Sequence, residues 1–307
     1  MVFDKILVGH AEKGETGTTV ILAPDSAAAG VCVRGAAPGT RETDLLHSGK
    51  TVDKINAVVL SGGSAFGLDA CGGAMRWLHE KGCGFDTGIV RVPIVCGAVL
   101  FDLKQGELNF PDADTGYKAC ENAVPLSFKN GIPQNIKTGA AGAGKGARCG
   151  RLFGLGASYP AGIGFACADV GGVSVAAIIA VNALGDLYDN KTGKIIAGAR
   201  NGKGEFIDIR AFILNGGLMK MKDSLKGGGN TVIGAVITDA KLSKVECNKL
   251  AEAAHGGLVL SVSPAHTELD GDTIFALSAG NKDAEFNTLC VAAVEAVRQA
   301  VLNAVKE

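Results

Sequence analysis

Short apolar runs rich in β-branched and small residues recur along the chain, and each meets a glycine-containing turn or a helix-like run. Residues 56–60 predict a buried strand and residues 61–67 a tight loop, after which the apolar residues have helical spacing. Residues 231–238 predict a second strand, and Ser243 and Glu246 after it are typical of a capping box that begins a helix. Strands and helices that alternate without a linker or a repeat predict one α/β domain.

Glycine is the most over-represented residue, at 45 of 307 positions, which is about twice its average usage. The glycines cluster where strand-like runs meet helix-like runs, and there they permit positive φ angles and close backbone approach. Aromatic residues make up only 5% of the chain, so the core is expected to consist of Val, Ile, Leu and Ala. That composition is typical of sheets covered by helices. A hydrophobic content of 47% excludes a disordered protein.

Charge and cysteine usage exclude several classes of partner. Thirty Lys and Arg against 31 Asp and Glu give a net charge of −1, which provides no electrostatic basis for binding nucleic acid or an anionic membrane. The apolar stretches are too short to span a bilayer, and the N-terminal residues predict no signal peptide. Nine cysteines without a Cys-x-x-Cys pair predict mostly buried thiols in a reducing cytoplasm.

Several familiar sites do not fit the residues. The five histidines lack the spacing of a metal site, so we expect no bound metal. The loop at residues 61–67 is no nucleophile elbow, because Phe66 stands where the second glycine is needed, and no Lys-Ser or Lys-Thr follows it as in a Walker loop. Two interpretations stay open: the glycines let a helix pack close to a strand, or Gly62, Gly63 and Ser64 bind a substrate or an anion.

A glycine run at residues 227–229, followed by Asn230, stands immediately before the strand that begins at Thr231. Such a run is usually only a loop. Alternatively, it is a cleavable junction: if the Asn230–Thr231 peptide breaks, Thr231 gains a free α-amine beside its own hydroxyl. An adjacent amine can take the hydroxyl proton, so one residue then supplies both nucleophile and base.

Two further polar groups fit the same chemistry. Asp270 and Asp272 bring two carboxylates close together on a turn, although a solvated turn would carry the same residues. Asn182 ends an apolar strand-like run, and its amide could donate a hydrogen bond to an oxyanion.

The chain resembles the L-aminopeptidase/D-amino-acid amidase-esterase family, which includes the β-aminopeptidases. The resemblance extends nearly from end to end, and the number and order of its motifs make it specific. The motifs are RGAAPGTRETDLL (34–46), VVLSGGSAFGLD (58–69), VPIV (92–95), FDL (101–103), VNAxGD (181–186), NTxIG (230–234), TDA (238–240) and HTxxDGDT (266–273).

The resemblance implies a fold and a maturation step. Family members form a single four-layer α-β-β-α sandwich that is similar to the N-terminal-nucleophile hydrolases but has a different connectivity. They cut their own chain before a Ser or Thr that then acts as the nucleophile. For this chain the resemblance implies one peptidase domain over residues 1–307, self-cleavage after Asn230 into residues 1–230 and 231–307, and Thr231 as the nucleophile.

The resemblance also implies roles for the other polar groups. Asn182 matches the family asparagine that helps to stabilise the oxyanion. Asp270 and Asp272 fall where characterised members have a Ser-x-Glu pair that assists the nucleophile, so two aspartates take that place here. No cofactor is implied, and we expect a homo-oligomer of processed subunits.

Two positions depart from the family pattern. Characterised aminopeptidases have a tyrosine that helps to form the oxyanion hole and a nearby glutamate that contacts the substrate ammonium. Phe101 and Val99 stand at these positions here. Phe101 cannot donate a hydrogen bond and Val99 cannot pair with a cation, so the resemblance supports the type of reaction more than a preference for free-amine substrates.

The sequence therefore predicts a self-processing hydrolase that cleaves N-terminal residues of small peptides or amino-acid amides and esters through an acyl-enzyme. One alternative is an acyltransferase resembling ornithine acetyltransferase, in which an amine replaces water as the acceptor. Another is an uncleaved binding protein with a relict site.

Overall fold

The computed structural model describes residues 1–104, 106, 109–221 and 229–305, over which strands and helices alternate. The strands in these ranges are β1 Val2–Lys13, β2 Thr16–Val33, β3 Thr40–Arg41, β4 Lys54–Ser61, β5 Phe85–Asp86, β6 Arg91–Val92, β7 Val95–Val99, β8 Val124–Lys129, β9 Ile132–Pro133, β10 Arg148–Cys149, β11 Tyr159–Pro160, β12 Ile163–Val170, β13 Val173–Asn182, β14 Asp186–Asp189, β15 Lys194–Ala197, β16 Thr231–Ala240, β17 Val262–Ser263 and β18 Thr273–Lys282. The α-helices are α1 Ala70–Glu80, α2 Ala113–Glu121, α3 Ile209–Leu214, α4 Gly217–Lys220, α5 Lys244–Val259 and α6 Phe286–Asn303.

The long strand β2 joins two layers of sheet. Its first part pairs with β1 and its last part with β18, while β4 pairs along its opposite edge. One layer therefore has the order β8-β1-β2-β4-β7-β3, and the other the order β12-β13-β16-β18-β2. Two pairs of neighbouring strands in these layers are parallel: β16 is parallel to β18, and β4 is parallel to β7.

Three apolar clusters show how the layers pack. Between the two sheets, Phe165 and Phe275 of one layer share a core with Ile21 and Leu60 of the other. On the outer face of β13, β16 and β18 lie α5 and α6, and on the outer face of β1, β2 and β4 lie α1 and α2. The expected four-layer α-β-β-α sandwich is therefore confirmed.

The local elements expected from the sequence are also present. Residues 56–60 lie within β4, and residues 231–238 lie within β16. The capping box is complete, because the Ser243 side chain accepts from the Glu246 N–H and the Glu246 side chain accepts from the Ser243 N–H. Between β4 and α1 the chain forms a 3₁₀ turn at Ser64–Asp69, which includes the second half of the loop predicted over residues 61–67.

The cysteines and helices match two expectations about the chain. All nine cysteines are free thiols, of which five are buried and four are partly buried. Burial raises the pKa of Cys71 and Cys149 to about 12, which makes these thiols unreactive. In the described ranges, no helix is both long enough and apolar enough to cross a membrane.

Three strands bring the candidate residues to one end of their sheet. Asn182, the last residue of β13, stands opposite Thr231, the first residue of β16. On the other side of β16, the parallel strand β18 begins at Thr273, next to Asp272. The antiparallel and parallel neighbours of β16 thus place Asn182 and Asp272 on either side of Thr231.

Candidate active site

Thr231 and the peptide bond before it form the centre of the candidate site. The Thr231 side chain is buried, and its Oγ1 donates a 2.5 Å hydrogen bond to the carbonyl oxygen of Asn230. The same carbonyl accepts a 3.1 Å hydrogen bond from the Gly271 N–H. A side-chain hydroxyl and a backbone donor therefore converge on the Asn230 carbonyl. The glycines at 227 and 228 lie outside the described residues.

Asp270 and Asp272 lie on either side of Gly271, and both are buried. Asp272 accepts a 2.7 Å hydrogen bond at Oδ1 from the backbone N–H of Val232. Asp270 accepts at Oδ2 from the backbone N–H of Thr267 at 2.8 Å and from its hydroxyl at 2.6 Å. Burial, and then the charge of Asp272, raise the pKa of Asp270 above its ordinary value. The turn that carries both carboxylates thus contacts the chain on both sides of Thr231.

His266 binds the second oxygen of Asp272. Its Nδ1 lies 2.8 Å from Oδ2, and its backbone N–H donates to the same oxygen at 3.1 Å. The Nε2 atom is buried and has no hydrogen-bond partner among the described residues. The sequence analysis considered this histidine only as a possible metal ligand and assigned it no role beside Asp272. Its position six residues before Asp272, within one motif, is the signal that could have identified it.

Asn182 is fully buried, and both ends of its side-chain amide are bonded. The Nδ2 atom donates to the carbonyl oxygens of Phe101 at 2.9 Å and Gly229 at 3.0 Å. The Oδ1 atom accepts from the Arg148 N–H at 3.2 Å and from the Arg151 guanidinium at 2.8 Å. In the intact chain, Asn182 therefore contacts the carbonyl one residue before that of Asn230.

Arg151 is a further site residue that the sequence analysis missed. Its Nη1 donates to the carbonyl oxygens of Phe101 and Gly229 and to Oδ1 of Asn182. Burial lowers the pKa of this guanidinium to about 10, against the opposing effect of the Asp102 carboxylate, so it remains a cation at neutral pH. The residues from 147 to 151 contain no recognisable motif, and only the folded chain brings this charge to the site.

The side chains of Phe101 and Val99 are apolar. The Phe101 ring lies against Gly229, since a Cβ on that glycine would stand 3.3 Å from Cδ1 of the ring. Val99 is buried at the end of β7. The apolar ring of Phe101 therefore lies beside Gly229, and the polar group that Phe101 turns toward the described site residues is its backbone carbonyl.

The backbone amides of the loop at residues 62–64 are all bonded to the protein. Gly62 donates to the Gly17 carbonyl at 2.9 Å, and Ser64 donates to the Leu100 carbonyl at 2.9 Å. Gly63 donates to Oδ1 of Asp102 at 2.7 Å. These three N–H groups are therefore not available to an anion, and the contacts tie the loop to the segment that carries Phe101. A role of the loop in substrate binding stays a prediction.

The part of the chain that the structure describes contains no group of three or more His, Cys, Asp or Glu side chains that could hold a metal ion. The side chains around Thr231 are a carboxylate pair, an amide and a guanidinium. Their chemistry is that of proton transfer and hydrogen bonding to an oxyanion.

The model of peptidase family S58 matches residues 4–307. An uncharacterized aminopeptidase of Mycobacterium leprae is 42% identical over 279 residues, which cover 87% of this chain and 72% of that protein. A 6-aminohexanoate-oligomer endohydrolase of Kocuria sp. is 32% identical over 284 residues, which cover 92% and 75% of the two chains.

Solved structures agree at the level of the fold. An L-aminopeptidase D-Ala-esterase/amidase from Ochrobactrum anthropi, described as a variant of the Ntn hydrolase fold, superposes with a TM-score of 0.68 at 19% identity, over 98% of this chain and 84% of that one. A β-aminopeptidase from Burkholderia sp. gives a TM-score of 0.63 at 21% identity, over 99% and 85%. The chain therefore belongs to peptidase family S58, whose members are hydrolases of the aminopeptidase and amidase type.

Proposed function

We propose that this protein is a self-processing amide hydrolase with Thr231 as its nucleophile. The observation that carries the proposal is the 2.5 Å contact between Oγ1 of Thr231 and the carbonyl oxygen of Asn230, which also accepts from the Gly271 N–H. A hydroxyl this close to a carbonyl held by a backbone donor is arranged for attack on the preceding peptide bond.

The proposed maturation is an acyl shift followed by hydrolysis. Oγ1 of Thr231 attacks the carbonyl carbon of Asn230, and the Gly271 N–H donates to the oxygen that becomes negative. The C–N bond then breaks, the nitrogen of Thr231 takes the proton that the hydroxyl has lost and becomes a free α-amine, and the acyl group of Asn230 stays on Oγ1 as an ester. Water cleaves the ester and leaves residues 1–230 and 231–307.

In the mature enzyme, the α-amine of Thr231 takes the proton of the attacking hydroxyl. The Asp272 carboxylate accepts from the Val232 N–H, and the backbone of Asp270 pairs with that of Asn230. These two carboxylates hold and orient that amine. The Gly271 N–H and Asn182 are the donors available to a substrate oxyanion. The substrates are small peptides, amides or esters, and no cofactor takes part.

The proposal also includes the location of the protein in the cell and its oligomeric state. Nine free thiols support a cytoplasmic location, because an oxidising compartment would favour disulfides. Resemblance to the family supports a homo-oligomer of processed subunits.

An intact-mass measurement tests the proposal. Under denaturing conditions, purified protein should separate into residues 1–230 and a fragment of residues 231–307 that begins with Thr231. A chain that stays whole after long incubation would contradict self-processing and favour the uncleaved binding protein. Transfer of the acyl group to an amine in preference to water would favour the acyltransferase.

A further inference from the structure

The carbonyl oxygen of Gly229, one residue before the proposed cleavage site, is bound by two side chains. Asn182 donates to it through Nδ2 at 3.0 Å, and the Arg151 guanidinium donates to it through Nη1. The Phe101 ring packs against the same glycine. Gly229 is therefore held through its carbonyl group, beside the apolar ring of Phe101.

This contact bears on substrates, because self-cleavage and hydrolysis pass through the same kind of ester. In the proposed function, on which this inference rests, the acyl group of Asn230 moves onto Oγ1 of Thr231, and the acyl group of a substrate forms the same bond. Residues 229 and 230 of the uncleaved chain therefore occupy the acyl side of the site. A substrate with an acylated α-amine supplies a carbonyl where Gly229 has one, whereas a substrate with a free amine supplies none.

A free α-amine would also meet a like charge. The substrate ammonium would take the place of the Asn230 nitrogen, which is bonded to the Gly229 carbonyl carbon and is thus close to the Arg151 guanidinium. Val99 is buried and apolar, so it provides no compensating carboxylate. Among the described residues, no carboxylate forms an ion pair with Arg151. The Asp102 carboxylate acts on the guanidinium from a greater distance, and its two oxygens accept from Thr16 and Gly63. Like charges repel most strongly where solvent is excluded.

We infer that the enzyme acts on acyl donors whose α-amine is itself acylated, which are N-acylated amino-acid amides and esters or the interior bonds of short peptides. Arg151 is the residue that determines this specificity. It binds the carbonyl that precedes the scissile one, and its charge disfavours an ammonium at the intervening nitrogen.

Three 4-nitroanilides that differ only at this nitrogen test the inference on the fully processed wild-type enzyme at pH 7. They are N-acetyl-L-asparagine 4-nitroanilide, L-asparagine 4-nitroanilide with its amine free, and succinamic acid 4-nitroanilide, which lacks the nitrogen altogether. A missing partner for a buried donor changes affinity by about 10- to 100-fold, so kcat/KM should fall by at least about 10-fold from the acetylated to the free-amine anilide. The kcat/KM of the succinamic compound should lie between those of the other two, because this compound has neither the additional carbonyl nor the charge of the amine.

A matched pair of variants shows whether Arg151 is responsible. Arg151→Met should bring the acetylated and succinamic anilides to within about threefold of each other. Arg210→Met, which removes an exposed guanidinium that lies over Tyr188, should keep the wild-type ratios. If the Arg151→Met variant does not cleave itself, the ratio of kcat/KM between the acetylated and free-amine anilides, measured on the wild-type enzyme, decides the inference alone. Equal or better turnover of the free-amine anilide by wild type would overturn this inference and leave the hydrolase intact, whereas cleaved protein that turns over none of the three compounds would overturn both.

Discussion

Oδ1 of Asp272 accepts a 2.7 Å hydrogen bond from the backbone N–H of Val232, the residue that follows the proposed nucleophile. Its other oxygen is bound by His266. One buried carboxylate therefore fixes the start of β16 to the turn before β18, and this limits how the backbone of Thr231 can move. Precise placement of a nucleophile in this way contributes substantially to rate, since small displacements of reacting groups are costly.

Substitutions at Thr231 should separate processing from folding. Thr231→Ala removes the hydroxyl that attacks the Asn230 carbonyl, so this variant should remain one 307-residue chain. Thr231→Ser keeps a hydroxyl at the same position and should still cut. Intact mass after a fixed incubation distinguishes the two. Cleavage of Thr231→Ala at the same bond would show that another group is the nucleophile.

Loss of the Asn182 amide should affect both rate and stability. If Asn182 donates to the substrate oxyanion, Asn182→Ala should lower kcat by roughly 10²–10³ with little change in KM. Its four hydrogen bonds in the uncleaved chain also indicate a lower thermal midpoint. Both quantities should be measured on the same preparation, with kcat calculated per cleaved molecule.

Asn248→Ala is the matched control for Asn182→Ala. Asn248 also bridges backbone groups, since it accepts from the Val31 N–H and donates to the Leu46 carbonyl, but it contacts no candidate site residue. This variant should lose thermal stability and keep kcat. If Asn182→Ala behaves in the same way, Asn182 only satisfies buried backbone groups and takes no part in the reaction.

The acid side of the pH–rate profile should respond to Asp270. We expect kcat/KM for an uncharged ester to fall below neutral pH, because only the neutral α-amine of Thr231 can accept the hydroxyl proton. Asp270→Asn should shift this fall to lower pH, because the ammonium of Thr231 is less stable without the negative charge of Asp270. The variant also lacks a carboxyl whose own pKa is raised. Asp272→Asn should shift it in the same direction. A profile unchanged in both variants would place the carboxylates outside the reaction.

Stability gives a second measurement for Asp270 that does not depend on activity. Because burial raises its pKa in the folded chain above the unfolded value, the folded chain holds this proton more tightly. The stabilisation is complete below the unfolded pKa, near about 4, and is lost as the pH rises through the folded pKa. In the uncleaved Thr231→Ala background, Asp270→Asn should therefore raise the thermal midpoint more at pH 8 than at pH 4.

The sequence predicted elements whose signals are local. The strand at β16 and the capping box at Ser243 depend on residues that are neighbours in the chain, and both were found where expected. Arg151 has no such signal, because its partners Asn182 and Gly229 lie 31 and 78 residues away. The Gly271 donor was also missed, since a backbone N–H has no residue type to mark it. The sequence therefore marked the proposed nucleophile more readily than the groups that surround it.

Gly271→Ala should slow self-cleavage although it removes no polar group. A Cβ at this position would lie 2.6 Å from the Ala37 carbonyl oxygen and 2.9 Å from Oγ1 of Thr231, so the turn, the hydroxyl or both must move. Either movement weakens the contacts of the Asn230 carbonyl with Oγ1 and with the Gly271 N–H, and we expect the cleavage rate to fall by at least about 10-fold.

Gly202→Ala is the control for Gly271→Ala, because a Cβ at that position would meet no atom within 4 Å and its φ is not positive. Intact mass measured over time gives the rate of self-cleavage. Gly202→Ala should cleave at the wild-type rate, and Gly271→Ala should cleave well below it. The thermal midpoint of each variant, measured in the Thr231→Ala background, shows whether both chains are folded. A folded Gly271→Ala chain that cuts as fast as wild type would contradict the prediction, because it would show that the added methyl group does not weaken the contacts of the Asn230 carbonyl.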